Sequence, residues 1–370
     1  VLICLGLERQ SDFGYYFHMS DFIFNVLDQS PVTSATNPAL AVAETVALAE
    51  HTDTLGYRRF WLAEHHNTSA FAGAAPEILI GHIAARTQHL RVGSGGIMLP
   101  HYSPMKVAEV FRMLETLAPK RIDLGLGRAP GGDARTAAAL QAGPKAWPAE
   151  VFPQQVEMLI QFLEDAAGLT GEAGGFPDAH PYQGIRAQPL GEHMVPMYML
   201  GSGGDGAYHA AQFGLPYIYA HFINPDNVET ALRAYRKHFR PSRFLDAPRV
   251  MMAVSAIAAD SEEEAKHFSK PRDIWVAQLV KNRAGRLPTL AEAEAYQPTD
   301  DEAAQINLIS QRGLAGTAPQ VLERLDTFRK KHGIDEFFLL TLIPDAAIRK
   351  NSYTLMSRAA DLNRSAEAAE

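Results

Sequence analysis

Apolar runs rich in β-branched and aromatic residues recur along the chain at 22–27 (FIFNVL), 57–63 (YRRFWLA), 90–99 (LRVGSGGIML), 121–126 (RIDLGL), 195–200 (VPMYML), 216–220 (PYIYA), 249–258 (RVMMAVSAIA) and 335–342 (DEFFLLTL). Each has the length and composition of a buried strand. Helical patterns lie between them. Asn37-Pro38 opens a helix that Leu55-Gly56 closes, and Pro76 and Ser103-Pro104 sit where a cap and first turn belong. After Ser103, the spacing of Val107, Val110, Phe111, Leu114 and Leu117 predicts one apolar stripe lying on a sheet. Ser261 with Glu264 reads as a capping box.

Strands too apolar to face water on one side, alternating eight times with helices, predict a parallel sheet covered by helices. An α/β fold closing as an eightfold (β/α) TIM-type barrel is the economical solution. Two intervals exceed a single crossover helix, about 129–194 and about 259–334, so long insertions are expected after strands 4 and 7. In a barrel they would cover the carboxyl ends of the strands, where chemistry occurs, and the second is the expected lid. The division expected is one barrel domain over 19–360. Met19 reads as the natural start, so residues 1–18 are expected to be a poorly ordered extension, and the Ala/Glu-rich 361–370 a frayed tail.

Composition narrows the partners. With 370 residues, 46% hydrophobic and 21% charged, the chain can bury a large core. A net charge of −8 and a pI near 6.0 point away from nucleic acid and anionic membranes and toward a small molecule. A lone cysteine, Cys4, excludes an internal disulfide, and no apolar run reaches the ~18–20 residues of a membrane span. A cytoplasmic location is expected.

Three stretches invite chemistry. "FWLAEHHNTS" places Glu64, His65 and His66 just after the second strand. Successive side chains of an extended chain face opposite ways, so the two histidines are poorly placed to grip one metal ion, and a catalytic or ligand-contacting role at the strand end is the alternative. "LGSGGDGAYHAAQFG" contains G-x-G-x-x-G as Gly201, Gly203 and Gly206, directly after the fifth strand and opening a helix. The next strand lacks the ribose-binding acid of a dinucleotide fold. What survives is an anion site at a helix N-terminus. "DLGLGRAPGGD" ends the fourth strand with Arg128, and arginine pairs well with phosphate. Two adjacent β/α loops could therefore hold one phosphate. The fourth feature is a puzzle: Gly95 and Gly96 interrupt the third strand, where each glycine costs roughly 0.5–1 kcal/mol relative to alanine.

Taken in order, "FWLAEHHN", "RVGSGGIMLPHYSP", "LGLGRAPGGD", "LGSGGDG" and "GTAPQVLERL" resemble the bacterial luciferase-like, flavin-dependent monooxygenases over nearly all of Met19 to Arg358. The resemblance implies an eightfold barrel binding reduced FMN from a separate flavin reductase. It also implies reaction with O2 through a C4a-peroxyflavin to oxygenate a small organic substrate, and a homodimer. It further implies His65 as the catalytic histidine and a non-prolyl cis peptide at Gly95-Gly96, preceded by Ser94, beneath the flavin ring. Arg128 with Gly201, Ser202, Gly203 and Gly204 would form the phosphate-binding region. Where bacterial luciferase has an acidic and a hydroxyl residue, this chain has Gly201 and Asp205, so backbone donors are expected to replace side chains and Asp205 to cap its helix and face away. Cations of the second insertion, Lys270, Lys281, Arg283, Arg286 and Arg312, either meet an anionic substrate or form a solvated lid surface. Alternative readings are a deazaflavin-dependent dehydrogenase of the same superfamily, a non-catalytic flavin-binding protein, and a barrel isomerase or hydrolase for a phosphorylated metabolite.

Overall fold

Ten parallel-paired strands build one sheet: β1 (Ile23–Asp28), β2 (Arg59–Leu62), β3 (Arg91–Ser94), β4 (Ile97–Met98), β5 (Ile122–Gly127), β6 (Met197–Gly201), β7 (Tyr217–Ala220), β8 (Val250–Ala259), β9 (Leu314–Thr317) and β10 (Glu336–Leu340). The structure is a computed structural model and describes residues 22–128, 132–143, 145–171 and 174–362. The order β10-β1-β2-β3-β5-β6-β7-β8 closes through pairing of β10 with β8, so eight of the strands form a barrel. Each of those eight falls on one of the apolar runs seen in the sequence. β4 continues the line of β3 along β5, and β9 pairs only with the far half of β8 at Ala256–Ala259.

Helices fill the crossovers. They are α1 (Pro38–Asp53), α2 (Pro76–Arg86), α3 (Pro104–Leu117), α4 (Ala134–Leu140), α5 (Phe152–Ala166), α6 (Gly204–Gln212), α7 (Val228–His238), α8 (Glu262–Val280), α9 (Leu290–Ala295), α10 (Asp300–Arg312), α11 (Ala318–His332) and α12 (Ala346–Ala360). The Asn37 side chain caps α1 by accepting from the Leu40 amide at 3.0 Å, with Pro38 in the first turn. Two details depart from the sequence reading. Leu117 lies outside the stripe of α3 and is 71% exposed at the last residue of the helix. Ser261 accepts from the Glu264 amide, but the Glu264 carboxylate takes the Ser261 hydroxyl, whereas full capping boxes form at Thr289/Glu292 and Thr299/Glu302. The long interval after β5 holds α4 and α5, and the one after β8 holds α8, α9, α10, β9 and α11. Among the described residues no helix is long and apolar enough to cross a membrane.

The alternation of strand side chains divides the core in two. Outward residues such as Phe24, Phe60, Val92, Leu124 and Met199 pack under the helices. Inward residues, including Leu27, Trp61, Tyr198, Met251 and Phe338, fill the barrel lumen. At the amino ends of the strands the lumen is closed by charge. Buried Arg59 donates to Asp123 at 3.0 Å and to Glu336, and its guanidinium also reaches the Tyr198 hydroxyl at 3.2 Å. Arg91 completes Asp123, while Arg249 and Asn25 complete Glu336. Buried charges persist only when so paired and hydrogen-bonded.

Of the terminal segments read from the sequence, residues 1–18 lie outside the described residues, as do 363–370. Leu362, placed in the tail by sequence, is buried beside Gly56, whose Cα would carry a Cβ only 3.0 Å from the Leu362 backbone.

Candidate functional site

The carboxyl ends of the barrel strands gather the residues singled out by sequence. Past the end of β2, the side chains of Glu64 and His66 bond to each other while that of His65 meets other partners, so the three alternate. His65 faces Gln29, with Nε2 3.1 Å from the Gln29 amide nitrogen, and its ring lies 4.6 Å from that of Phe71. His66 faces the other way and bonds to buried Glu64 through Nε2 at 2.7 Å. The same Glu64 oxygen accepts from the Tyr102 hydroxyl at 2.7 Å, and its second oxygen accepts from the Met98 amide at 2.9 Å. Burial, then the charge of His66, lowers the pKa of His65 to about 4. The imidazole is therefore neutral at physiological pH, with its Nε2 accepting from Gln29 and its proton on Nδ1.

The peptide bond between Gly95 and Gly96 is cis, as the resemblance implies. A Cβ on Gly96 would come within 2.8 Å of the Gly125 carbonyl oxygen, and one on Gly95 within 2.5 Å of the Leu27 side chain. Ser94 stitches the same seam by donating to the Gly125 carbonyl at 2.8 Å and accepting from its amide at 3.0 Å. At Gly96 the missing side chain is thus required by close approach of β5's backbone, whereas at Gly95 the neighbour is the movable end of the Leu27 side chain.

Arg128 leaves the end of β5 and meets Asp205 in the first turn of α6, Nη2 to Oδ2 at 2.9 Å. Asp205 does not cap: Gly203 is the N-cap residue of α6, and no side chain bonds there. The acid turns instead toward Arg128 because the guanidinium is its nearest opposite charge. With Asp205 71% and Arg128 37% exposed, water screens the pair, which holds weakly and is easily displaced. A Cβ on Gly203 or Gly204 would meet nothing within 4 Å, so open space adjoins the α6 amides. Gly201 is different, since a Cβ there would come within 3.2 Å of the Tyr217 hydroxyl. The Ser202 carbonyl accepts from Asn224 at 3.3 Å and Tyr217 donates to the Gly203 carbonyl at 3.2 Å, which fixes the loop from below. A cation, open helix amides and bare glycine backbone fit a phosphate group.

The second insertion reaches over this end of the barrel. Phe71, in the loop after β2, packs on Trp275 of α8 with ring centres 5.3 Å apart, alongside Ala70 and Leu287. Pro31 bridges to Phe71 and Thr33 to Leu287, tying the loops after β1 and β2 to the insertion. Its cations are already engaged: Lys270 with Glu294, Lys281 and Arg283 with Glu302, Arg286 with the Thr36 carbonyl and Arg312 with Asp226. This agrees with the lid-surface alternative better than with an anionic substrate.

Sequence reasoning passed over Gln29 and Phe71, which meet His65, Tyr102, which meets Glu64, and Trp275, which packs on Phe71. No local spacing marks them, since each comes from a different loop or helix. Glu64 carried a signal, an acid inside an apolar strand end, and its three bonds show why it sits there.

A protein-family model described as luciferase-like monooxygenase matches residues 19–336. The chain is 36% identical over 337 residues to an N-acetyl-S-alkylcysteine monooxygenase of Bacillus subtilis (strain 168), covering 90% of this chain and 97% of that one. A solved structure of apo-MsnO8 superposes with a TM-score of 0.82 at 33% identity, covering 92% of this chain and 99% of the other. The oxygenating constituent of 3,6-diketocamphane monooxygenase from Pseudomonas putida, solved in complex with FMN, shares the fold at a TM-score of 0.68 and 16% identity, covering 92% and 97%.

Proposed function

The chain belongs to the luciferase-like monooxygenase family, and from that premise we propose that it takes reduced FMN from a separate reductase and uses O2 to oxygenate a small organic substrate. The observation that carries the cofactor reading is the meeting of Arg128 with the open, glycine-lined N-terminus of α6. Two loops converge there with the donors a terminal phosphate needs, and the weak Asp205 partner yields to a doubly charged anion.

In this reading Arg128, the Ser202 hydroxyl and the amides of Gly203 and Gly204 hold the phosphate, with Gly201 shaping the turn. The backbone of Ser94, Gly95 and Gly96 supports the ring system. Bound reduced flavin supplies the electrons that activate O2. His65 contributes a neutral imidazole that donates from Nδ1 and takes a proton at Nε2 when the Gln29 bond is released. Phe71, Trp275 and Leu287 roof the site and exclude water. The sulfur-containing substrate named for the Bacillus subtilis relative makes thioethers the first class to screen. A homodimer remains part of the proposal.

Anaerobic titration with reduced FMN, followed by oxygen-electrode assays across a thioether, ketone and aldehyde panel, tests the reading. Flavin binding with substrate-dependent oxygen uptake and one oxygen atom in the product is the expected result. Binding without substrate-dependent uptake would turn the reading to a flavin-binding protein. Preference for a deazaflavin with no oxygen uptake would turn it to a dehydrogenase.

A further inference from the structure

We infer that Glu64 is a positioning residue: its carboxylate, acting as a hydrogen-bond acceptor, pins the loop that carries His65 to the strand that follows Gly95-Gly96. The inference rests on the proposed function only for its kinetic consequence. Its structural part stands on the free protein.

Glu64 is fully buried, yet the catalytic reading leaves it without a task. Three donors from three elements converge on it. His66 Nε2 comes from its own loop at 2.7 Å, the Tyr102 hydroxyl from the turn before α3 at 2.7 Å, and the Met98 amide from β4 at 2.9 Å. The Met98 bond is the informative one. β4 is two residues long and pairs with β5 on one side, so on the other side its Met98 amide finds a side chain instead of a strand. That side chain is the immediate chain neighbour of His65, and Met98 lies two residues beyond Gly96. Because side chains alternate, Glu64 grips β4 from one face of the loop while His65 points from the other toward Gln29 and Phe71. The spacing between imidazole and glycine backbone is thereby held by this buried bond on the far side of the glycines, together with the Gly95 amide's bond to the Leu62 carbonyl at 2.8 Å on the near side. Displacements near 1 Å at a reacting centre can cost on the order of a hundredfold in rate.

An acceptor role and a proton-carrying role make opposite forecasts for the amide. In Glu64→Gln, the side-chain oxygen can take the Met98 amide, while the new NH2 group donates to the Tyr102 oxygen and to the unprotonated Nε2 of the other His66 tautomer. Glu64→Ala leaves the Met98 amide without a partner. Hydrogen–deuterium exchange of the peptide spanning 96–103, read by mass spectrometry on the free protein, should rise at least tenfold in Glu64→Ala and return to within threefold of the parent in Glu64→Gln. Turnover with reduced FMN should follow the same order, down at least tenfold in Ala and recovered in Gln. Tyr102→Phe, which removes a donor and leaves the Met98 bond, should leave exchange at 96–103 unchanged, and it supplies the comparison with Glu64→Gln if the alanine variant does not fold. Exchange in Glu64→Gln as fast as in Glu64→Ala, or raised tenfold in Tyr102→Phe, would overturn the inference. So would a Gln variant with intact exchange but turnover as low as Ala, since the carboxylate's charge would then matter and not its grip. Absence of flavin turnover in the parent would sink the proposed function while leaving the exchange result to be judged by itself.

Discussion

His65 illustrates how burial sets chemistry one residue at a time. Its pKa near 4 means that the reactive neutral form persists from neutrality down to about that pH and is lost only below it. The pH profile of kcat/KM should therefore show no His65 limb near 6.5, and His65→Ala should lower coupled oxygenation by roughly a hundredfold or more while leaving the dissociation constant for reduced FMN within threefold. Arg128 supports a second test. Arg128→Ala should weaken FMN about tenfold or more, as expected for a charge-assisted bond to phosphate, and leave riboflavin almost unaffected. Asp205→Asn frees the guanidinium and should tighten FMN, which equilibrium titration of the two flavins would measure. The identity and order of His65 and Arg128 were legible in the sequence. Their partners Gln29 and Asp205 were not assigned, because a side chain's partner depends on which loops the barrel brings together.

At the scale of elements, the seam between β3 and β5 is governed by glycine. A Cβ on Gly125 would sit 2.1 Å from the Ser94 carbonyl oxygen, so Gly125→Ala forces the strands apart and should cost about 1–3 kcal/mol or more in chemical denaturation. Gly96→Ala meets the same backbone from the other side and should cost a similar amount. The roof depends on a smaller cluster. Phe71→Ala removes the aromatic wall between His65 and Trp275, and trypsin cleavage after Arg283 and Arg286 should quicken about tenfold as the insertion opens more often. The strand positions, the α1 cap and the glycine pair could be read from local pattern. The mates of Gly96 and Phe71 lie on distant segments, so periodicity carries no information about them.

The whole molecule is sensitive to acid in a direction that two histidines illustrate most strongly, while burial lowers His51, His209 and His332 the same way. His221, which packs against Phe328 beneath α11, resembles His65 in having its pKa lowered by burial to about 4. Both groups bind protons more readily once unfolded, so their contribution to stability is complete above about 6.5 and declines as the pH falls toward 4. Thermal melting should lose on the order of 2 kcal/mol per histidine across that window, and a double His65→Gln, His221→Gln variant should flatten the loss. At the other end of the lumen, Arg59→Met removes the buried cation shared by Asp123 and Glu336 and leaves them only Arg91, Trp61, Arg249 and Asn25 as partners, and the expected cost is about 3 kcal/mol.

What the sequence determined by itself follows from short-range physics. Strand and helix alternate because apolar residues recur at fixed spacings, and an eightfold series of buried strands has few ways to close. The chemical repertoire also follows, since glycine, arginine and histidine were already spaced at strand ends. Tertiary structure alone decided which of those groups would touch. It turned Asp205 onto Arg128, engaged the cations of the insertion with Glu294, Glu302, Asp226 and the Thr36 carbonyl, and buried Glu64 where three elements meet. Contact between segments far apart in the chain is set by closure of the barrel, and closure is a property of all eight strands together.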